Sequence, residues 1–151
     1  MMSAFPDTSF LCAIYRTQDN SDRADAWMLA RSGPLAASSY LLLEFRQSVR
    51  FQGRLFSLDR SKGYPPAEAT RMLRDLQADL STGILEVTAV DWADVHRLAE
   101  SLSAKHTAAG GHRLNDILHV ATALHLGAAE FLTFDANQRR LAEAEGMAVP
   151  V

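Results

Sequence analysis

Four acidic residues stand where an enzyme could use them: Asp7, Glu44, Asp116 and Asp135. Each also has a structural reading. Asp7 and Asp135 sit where a short strand gives way to a helix, and an aspartate there is a good N-cap worth about 1 kcal/mol. Glu44 lies inside the apolar run Leu41-Leu42-Leu43-Glu44-Phe45, where a carboxylate needs a cation, a proton or a cage of hydrogen bonds. An arginine partner would meet that need as well. Asp116 opens an otherwise apolar helix, whose dipole favours an anion in its first turn. Taken together the four say more. Gathered about 5 Å apart, each ionised pair would repel by roughly 3 kcal/mol at an effective dielectric of 20, and six pairs would rival a domain's whole stability of about 5–15 kcal/mol. A divalent cation would then be required, and oxygen-only donors favour Mg²⁺ or Mn²⁺. Such ions, with carboxylates and water, serve phosphodiester hydrolysis.

The elements that would have to position these groups are legible from periodicity. A first strand ends near Phe5 and turns into a helix over about Phe10–Arg16. A helix over Arg23–Arg31, a strand Leu35–Ala37 and a helix from Ser38-Ser39 to about Phe51 follow. Past the Gly63-Tyr64-Pro65-Pro66 loop, Met72, Leu73, Leu76 and Leu80 mark an amphipathic helix over Ala67–Leu80 that Gly83 ends. A strand at Ile84–Val87, a helix Asp91–Lys105 and a Gly-rich connection Thr107–His112 come next. Asn115 reads as the N-cap of a helix through Leu126. A strand Glu130–Phe134, a helix Asp135–Glu145 and a short last strand Met147–Val151 complete the chain. Strands alternating with helices predict an α/β fold, a mainly parallel sheet of four to five short strands between two helical layers. In such sheets ligands bind beyond the carboxyl ends of the strands, where Asp7 and Asp135 lie.

The composition narrows the class. The chain has 151 residues, 48% hydrophobic and 22% charged, which fits one globular domain over 1–151 and excludes a disordered or fibrous chain. Fifteen Lys plus Arg against eighteen Asp plus Glu leave a net charge of -3, so any contact with a polyanion must be local. Arg46, Arg50 and Arg54 recur every four residues on the Glu44 helix, and Arg113, Arg139 and Arg140 flank the third and fourth acidic motifs; these are the candidate phosphate contacts, beside their ordinary reading as surface cations. The one cysteine, Cys12, excludes an internal disulfide and a thiolate zinc site. Met1–Phe5 lacks the basic start of a secretion signal, and no apolar run nears the roughly 18 residues of a membrane helix, so the expectation is a cytoplasmic protein without membrane attachment. There is no Walker A or Gly-x-Gly-x-x-Gly sequence and no His-Glu-x-x-His. His119, one turn after Asp116, leaves open a mixed histidine and carboxylate site.

Four segments in order, Phe5-Pro6-Asp7-Thr8-Ser9-Phe10-Leu11, Ser38–Glu44, Leu114–Leu124 and Leu132-Thr133-Phe134-Asp135-Ala136-Asn137-Gln138, resemble the motifs of PIN-domain proteins, and among them the VapC-like toxin ribonucleases of type II toxin-antitoxin modules. The resemblance spans essentially the whole chain. It implies a three-layer α/β/α PIN fold and a Mg²⁺- or Mn²⁺-dependent endoribonuclease acting on an RNA substrate. By the same resemblance Asp7, Glu44, Asp116 and Asp135 are the metal-binding and catalytic positions, with Thr8, Ser9 and Asn137 as accessory groups. It further implies a small antitoxin partner and a homodimer. Two other readings stand beside it. A noncatalytic RNA- or partner-binding PIN domain would keep the pocket without turnover. A phosphatase of the haloacid-dehalogenase type would need a second aspartate two residues after Asp7, where this chain has Ser9.

Overall fold

The computed structural model describes residues 3–151; Met1 and Met2, part of the stretch inspected for a leader, lie outside the described residues. The described chain runs β1 (Ala4–Pro6), α1 (Thr8–Tyr15), α2 (Ser21–Ala30), β2 (Leu35–Ala37), α3 (Ser39–Leu58), α4 (Pro66–Thr82), β3 (Leu85–Val87), α5 (Trp92–Gly110), α6 (Leu114–His125), β4 (Glu130–Leu132) and α7 (Ala136–Ala144).

All strand pairing is parallel, as crossover helices dictate. β1 pairs with β4 in the register Phe5 to Phe131, and β2 pairs with β3 in the register Leu35 to Leu85. β1 lies against β2, so the order is β3-β2-β1-β4, with ladder hydrogen bonds within the two outer pairs. β1 and β2 are buried along their whole length, as central parallel strands must be, whereas β3 exposes Glu86 and Val87 at the edge. Helices α1 to α4 pack on one another, and α5, α6 and α7 form a second group. Phe5, Phe10, Phe45 and Phe131 fill the core between them and are fully buried. α6 reads apolar on nearly every side because Ile117 through Ala123 are all buried.

Several boundaries differ from the sequence expectations, each for a local reason. α3 continues seven residues past Phe51, because Gly53 does not break it: this glycine is buried where Pro66 and Ala69 of α4 approach within 3.7 and 3.6 Å of where a Cβ would be. The supposed connection from Thr107 is the last turn of α5. Ala108 and Ala109 favour helix, Gly110 costs about 1 kcal/mol there, and Gly111, with φ +65°, supplies the left-handed cap. β4 stops at Leu132, and Met147–Val151 forms only an isolated bridge, Ala148 to Glu130, followed by Pro150 with no N–H to give. At Gly63 (φ +59°) a Cβ would stand 2.0 Å from the Gln52 carbonyl oxygen, so this loop tolerates no side chain there.

Candidate active site

β1 and β4 end side by side, and the Asp7 backbone N–H donates to the Leu132 carbonyl at 3.0 Å. Asp7 and Asp135 therefore start α1 and α7 from adjacent strand ends. Asp7 caps α1 by accepting from the Phe10 N–H at 3.0 Å, and Asp135 caps α7 by accepting from the Gln138 N–H at 2.8 Å. The capping reading of both is thus present in the structure. It does not exhaust Asp7, which is fully buried.

Every lone pair of that carboxylate has a donor. Oδ1 accepts from Ser9 Oγ at 2.6 Å as well as from the Phe10 N–H; Oδ2 accepts from Thr133 Oγ1 at 2.5 Å and from Gln138 Nε2 at 2.8 Å. No cation pairs with it among the described residues. Burial pushes the Asp7 carboxyl above the usual aspartate range, opposed by the bonds from Ser9, Thr133 and Phe10 and by the charge of His119. Ser9 and Thr133 are themselves fixed, since Ser9 Oγ accepts from the Phe134 N–H at 2.9 Å and Thr133 Oγ1 from the Asp135 N–H at 3.0 Å.

Gln138 links this group to the third acidic motif. Its Nε2 also donates to Asp116 Oδ1 at 3.1 Å, so one amide nitrogen stands between two carboxylates. The carboxylates decide which way the amide faces, because the opposite orientation would turn Oε1 on both anions. Gln138 is 5% exposed, and its Oε1 is buried without a partner, an arrangement that costs about 1–3 kcal/mol. Burial raises the Asp116 carboxyl above its ordinary value, the charges of Asp135 and Glu44 add to this, and His119 and Arg113 oppose it.

Glu44 lies on the other side of the site and is differently served. It accepts from Thr8 Oγ1 at 2.6 Å and from Asn115 Nδ2 at 3.0 Å, and it pairs with His119 Nε2. Burial alone would raise its carboxyl; the hydrogen bond and charge of His119, with Thr8 and Asn115, bring it below the usual glutamate range. The His119 ring packs 5.7 Å from Tyr40, whose hydroxyl donates to Asn115 Oδ1. Asn115 is therefore no N-cap. Arg113 holds that position, and the Asn115 side chain turns to the site instead.

The structure brings Asp7 and Asp116 together through Gln138 and lets Asp116 feel Asp135 and Glu44, while the Glu44 oxygens turn to His119, Thr8 and Asn115. Among the described residues no three His, Cys, Asp or Glu side chains form a ready-made cation cage. Thr8 and Ser9 lie within the site. Asn137 does not join them; its Oδ1 accepts from Arg140. Arg139 is occupied at the carboxyl end of the chain, donating to the Val149 and Val151 carbonyls. Arg46, Arg50 and Arg113 carry no ion pair among the described residues, and Arg113 lies close enough to Asp116 to act on its carboxyl. Beside Glu44 and Asn115 an apolar groove of about 540 Å³ runs along α3, lined by Tyr40, Leu43, Gln47 and Phe51.

Sequence reasoning passed over Gln138. Asp135-x-x-Gln138 has the spacing of a capping box, which would send the glutamine back to its own helix start; its backbone N–H is indeed capped, but the side chain crosses to Asp7 and Asp116.

The PIN-domain family profile matches residues 4–144. This chain belongs to the PIN-domain family. Solved structures share the PIN fold over nearly their full length. VapC20 of Mycobacterium tuberculosis, a sarcin-ricin loop cleaving toxin, is 21% identical with a TM-score of 0.67, covering 99% of this chain and 98% of its own. A toxin-antitoxin complex from Klebsiella pneumoniae is 18% identical (TM-score 0.66, 99% and 98% covered). VapBC2 of Rickettsia felis, bound to a DNA fragment from its promoter, is 17% identical (TM-score 0.66, 98% and 97% covered). No curated protein matches this chain in sequence.

Proposed function

We propose that this PIN domain is a divalent-cation-dependent endoribonuclease, the toxin of a toxin-antitoxin pair. The observation that carries the reading is the pairing of Asp7 and Asp116 across a single buried amide at the carboxyl ends of the strands, with Asp135 and Glu44 adding negative charge and, among the described residues, no arginine pairing with any of the four. The donor set fits a hard cation in kind, because it is oxygen throughout, and in charge, because the charges of Asp135 and Glu44 add to burial in raising the Asp116 carboxyl, against His119 and Arg113.

Asp7, Asp116, Asp135 and Glu44 would hold the ion, which when bound supplies an activated water and neutralises charge on the phosphoryl group. The chain's own residues do the positioning. Ser9, Thr133 and the Phe10 N–H fix the Asp7 carboxylate in one orientation, which removes the reorganisation that would otherwise precede reaction. His119 and Asn115 hold Glu44 ionised and aimed from the far side. Arg113, beside Asp116, is the arginine best placed to meet a phosphate.

A partner protein has a surface to use. Leu43 and Phe51 are 63% and 50% exposed along the groove next to Glu44, and an apolar side chain from an antitoxin would bury them while covering the site. The same face is open to a second copy of this chain. Among the described residues no helix is long and apolar enough to cross a membrane.

The test is cleavage of RNA by purified protein with Mg²⁺ or Mn²⁺, and with EDTA. Cutting that needs the metal, and falls at least about 100-fold in Asp7→Asn and Asp116→Asn, supports the proposal; variants that cut at the full rate would end it.

A further inference from the structure

Gln138 is the one donor to Asp7 that can leave cheaply. Of the four, Phe10 N–H is a helical backbone group, Ser9 Oγ is held by the Phe134 N–H and Thr133 Oγ1 by the Asp135 N–H. A carboxylate offers about four acceptor sites, and those of Asp7 are all taken. A cation can reach Asp7 only if one donor withdraws. The Gln138 amide is carried on a stem with rotamers of its own, and its Oε1 has no partner in the bridging position, so turning away forfeits nothing on that side. It also stands between Asp7 Oδ2 and Asp116 Oδ1, donating to both.

We infer that Gln138 is a positioning residue that gates the cation site: its amide bridges Asp7 and Asp116, and an ion binding these carboxylates must displace it. The inference rests on the cation-dependent reading above. Its consequence is a competition, in which the bridge stabilises the free protein and weakens ion binding. The bridge is what an ion must compete with, since the amide's two hydrogens serve both acceptors at once.

The experiment measures Mn²⁺ affinity by calorimetry on EDTA-stripped protein, together with thermal midpoints with and without Mn²⁺, for wild type, Gln138→Met and Gln138→Lys. Gln138→Met keeps the shape and removes the donor. It should lower the cation-free midpoint, leave the Mn²⁺-saturated midpoint closer to wild type, and bind Mn²⁺ about tenfold more tightly, the equivalent of one hydrogen bond no longer broken. Unchanged or weaker Mn²⁺ binding in that variant overturns the gate, because a purely structural or a ligating glutamine gives those results. Gln138→Lys places a fixed positive charge between the two carboxylates, and should raise the cation-free midpoint and abolish the Mn²⁺ response; a Lys variant that still binds Mn²⁺ as wild type does also overturns it. Wild-type protein that does not bind Mn²⁺ at all removes the cation-dependent reading and the gate together, whereas wild type that binds beside an unaltered Gln138→Met removes the gate alone.

Discussion

The two sides of the site hold carboxylates by opposite means. Asp7 has only neutral donors and no exposure, and its carboxyl is raised by burial. Glu44 has a histidine beside it, and its carboxyl is lowered in spite of burial. Hydrogen bonds alone offset much of the desolvation of an anion, and a counter-charge offsets the rest. The difference assigns different work to the two sides. The Asp7–Gln138–Asp116 side holds its carboxylates with neutral donors alone, while on the other side Glu44 has a histidine partner beside its neutral donors.

Removing the histidine partner should cost the most stability. His119→Ala leaves the half-buried Glu44 with two neutral donors and opens a cavity, and we expect a loss of about 2–3 kcal/mol in denaturant unfolding; His119→Gln, which keeps one donor, should lose less. A His119→Ala protein as stable as wild type would show that the pair does not offset the burial of Glu44.

On the other side, Ser9→Ala removes one donor to Asp7 and the acceptor of the Phe134 N–H. A loss of about 1.5 kcal/mol is expected, with a further rise of the Asp7 carboxyl, readable by carboxyl-carbon NMR titration. An Asp7 titration that stays in place would mean that Ser9 contributes little to holding the charge.

The smallest effect separates the sides by pH. Asp116 has a raised carboxyl in the folded state, so folded protein binds protons that unfolded chain has released, and the ionised group lowers stability as pH rises through that window. Asp116→Asn in EDTA should therefore raise the thermal midpoint at neutral pH, and the gain should vanish once pH falls below the ordinary aspartate range. Glu44 has the opposite sign: its contribution is present above the ordinary glutamate range and is lost as pH falls through the lowered folded value. A midpoint for Asp116→Asn at or below wild type at neutral pH would mean that burial and its acidic neighbours do not penalise the Asp116 charge.

Much of this was legible in the chain itself. The alternation of strands and helices, the apolar α6, the glycine and proline breaks and the four motif segments are local patterns, and they fix an α/β chain with its acids at strand ends and helix starts. The errors were local as well. Gly110 reads as part of a connection because a glycine's cost in a helix is about 1 kcal/mol, yet the following left-handed Gly111 makes it the last residue of α5.

Sequence determined which residues could carry charge and in which elements they lie, because capping, periodicity and propensity act over a few residues. Tertiary packing alone decided what each charge meets. Gln138 reaches Asp7 across 131 positions and His119 reaches Glu44 across 75, and no short-range rule links such pairs. They meet because parallel pairing of β1 with β4 sets the start of α7 beside the start of α1, and because α6 packs against β1. Burial there leaves each polar group to find a partner inside the protein, and that requirement, applied to one glutamine and one histidine, made the two sides of the site unlike.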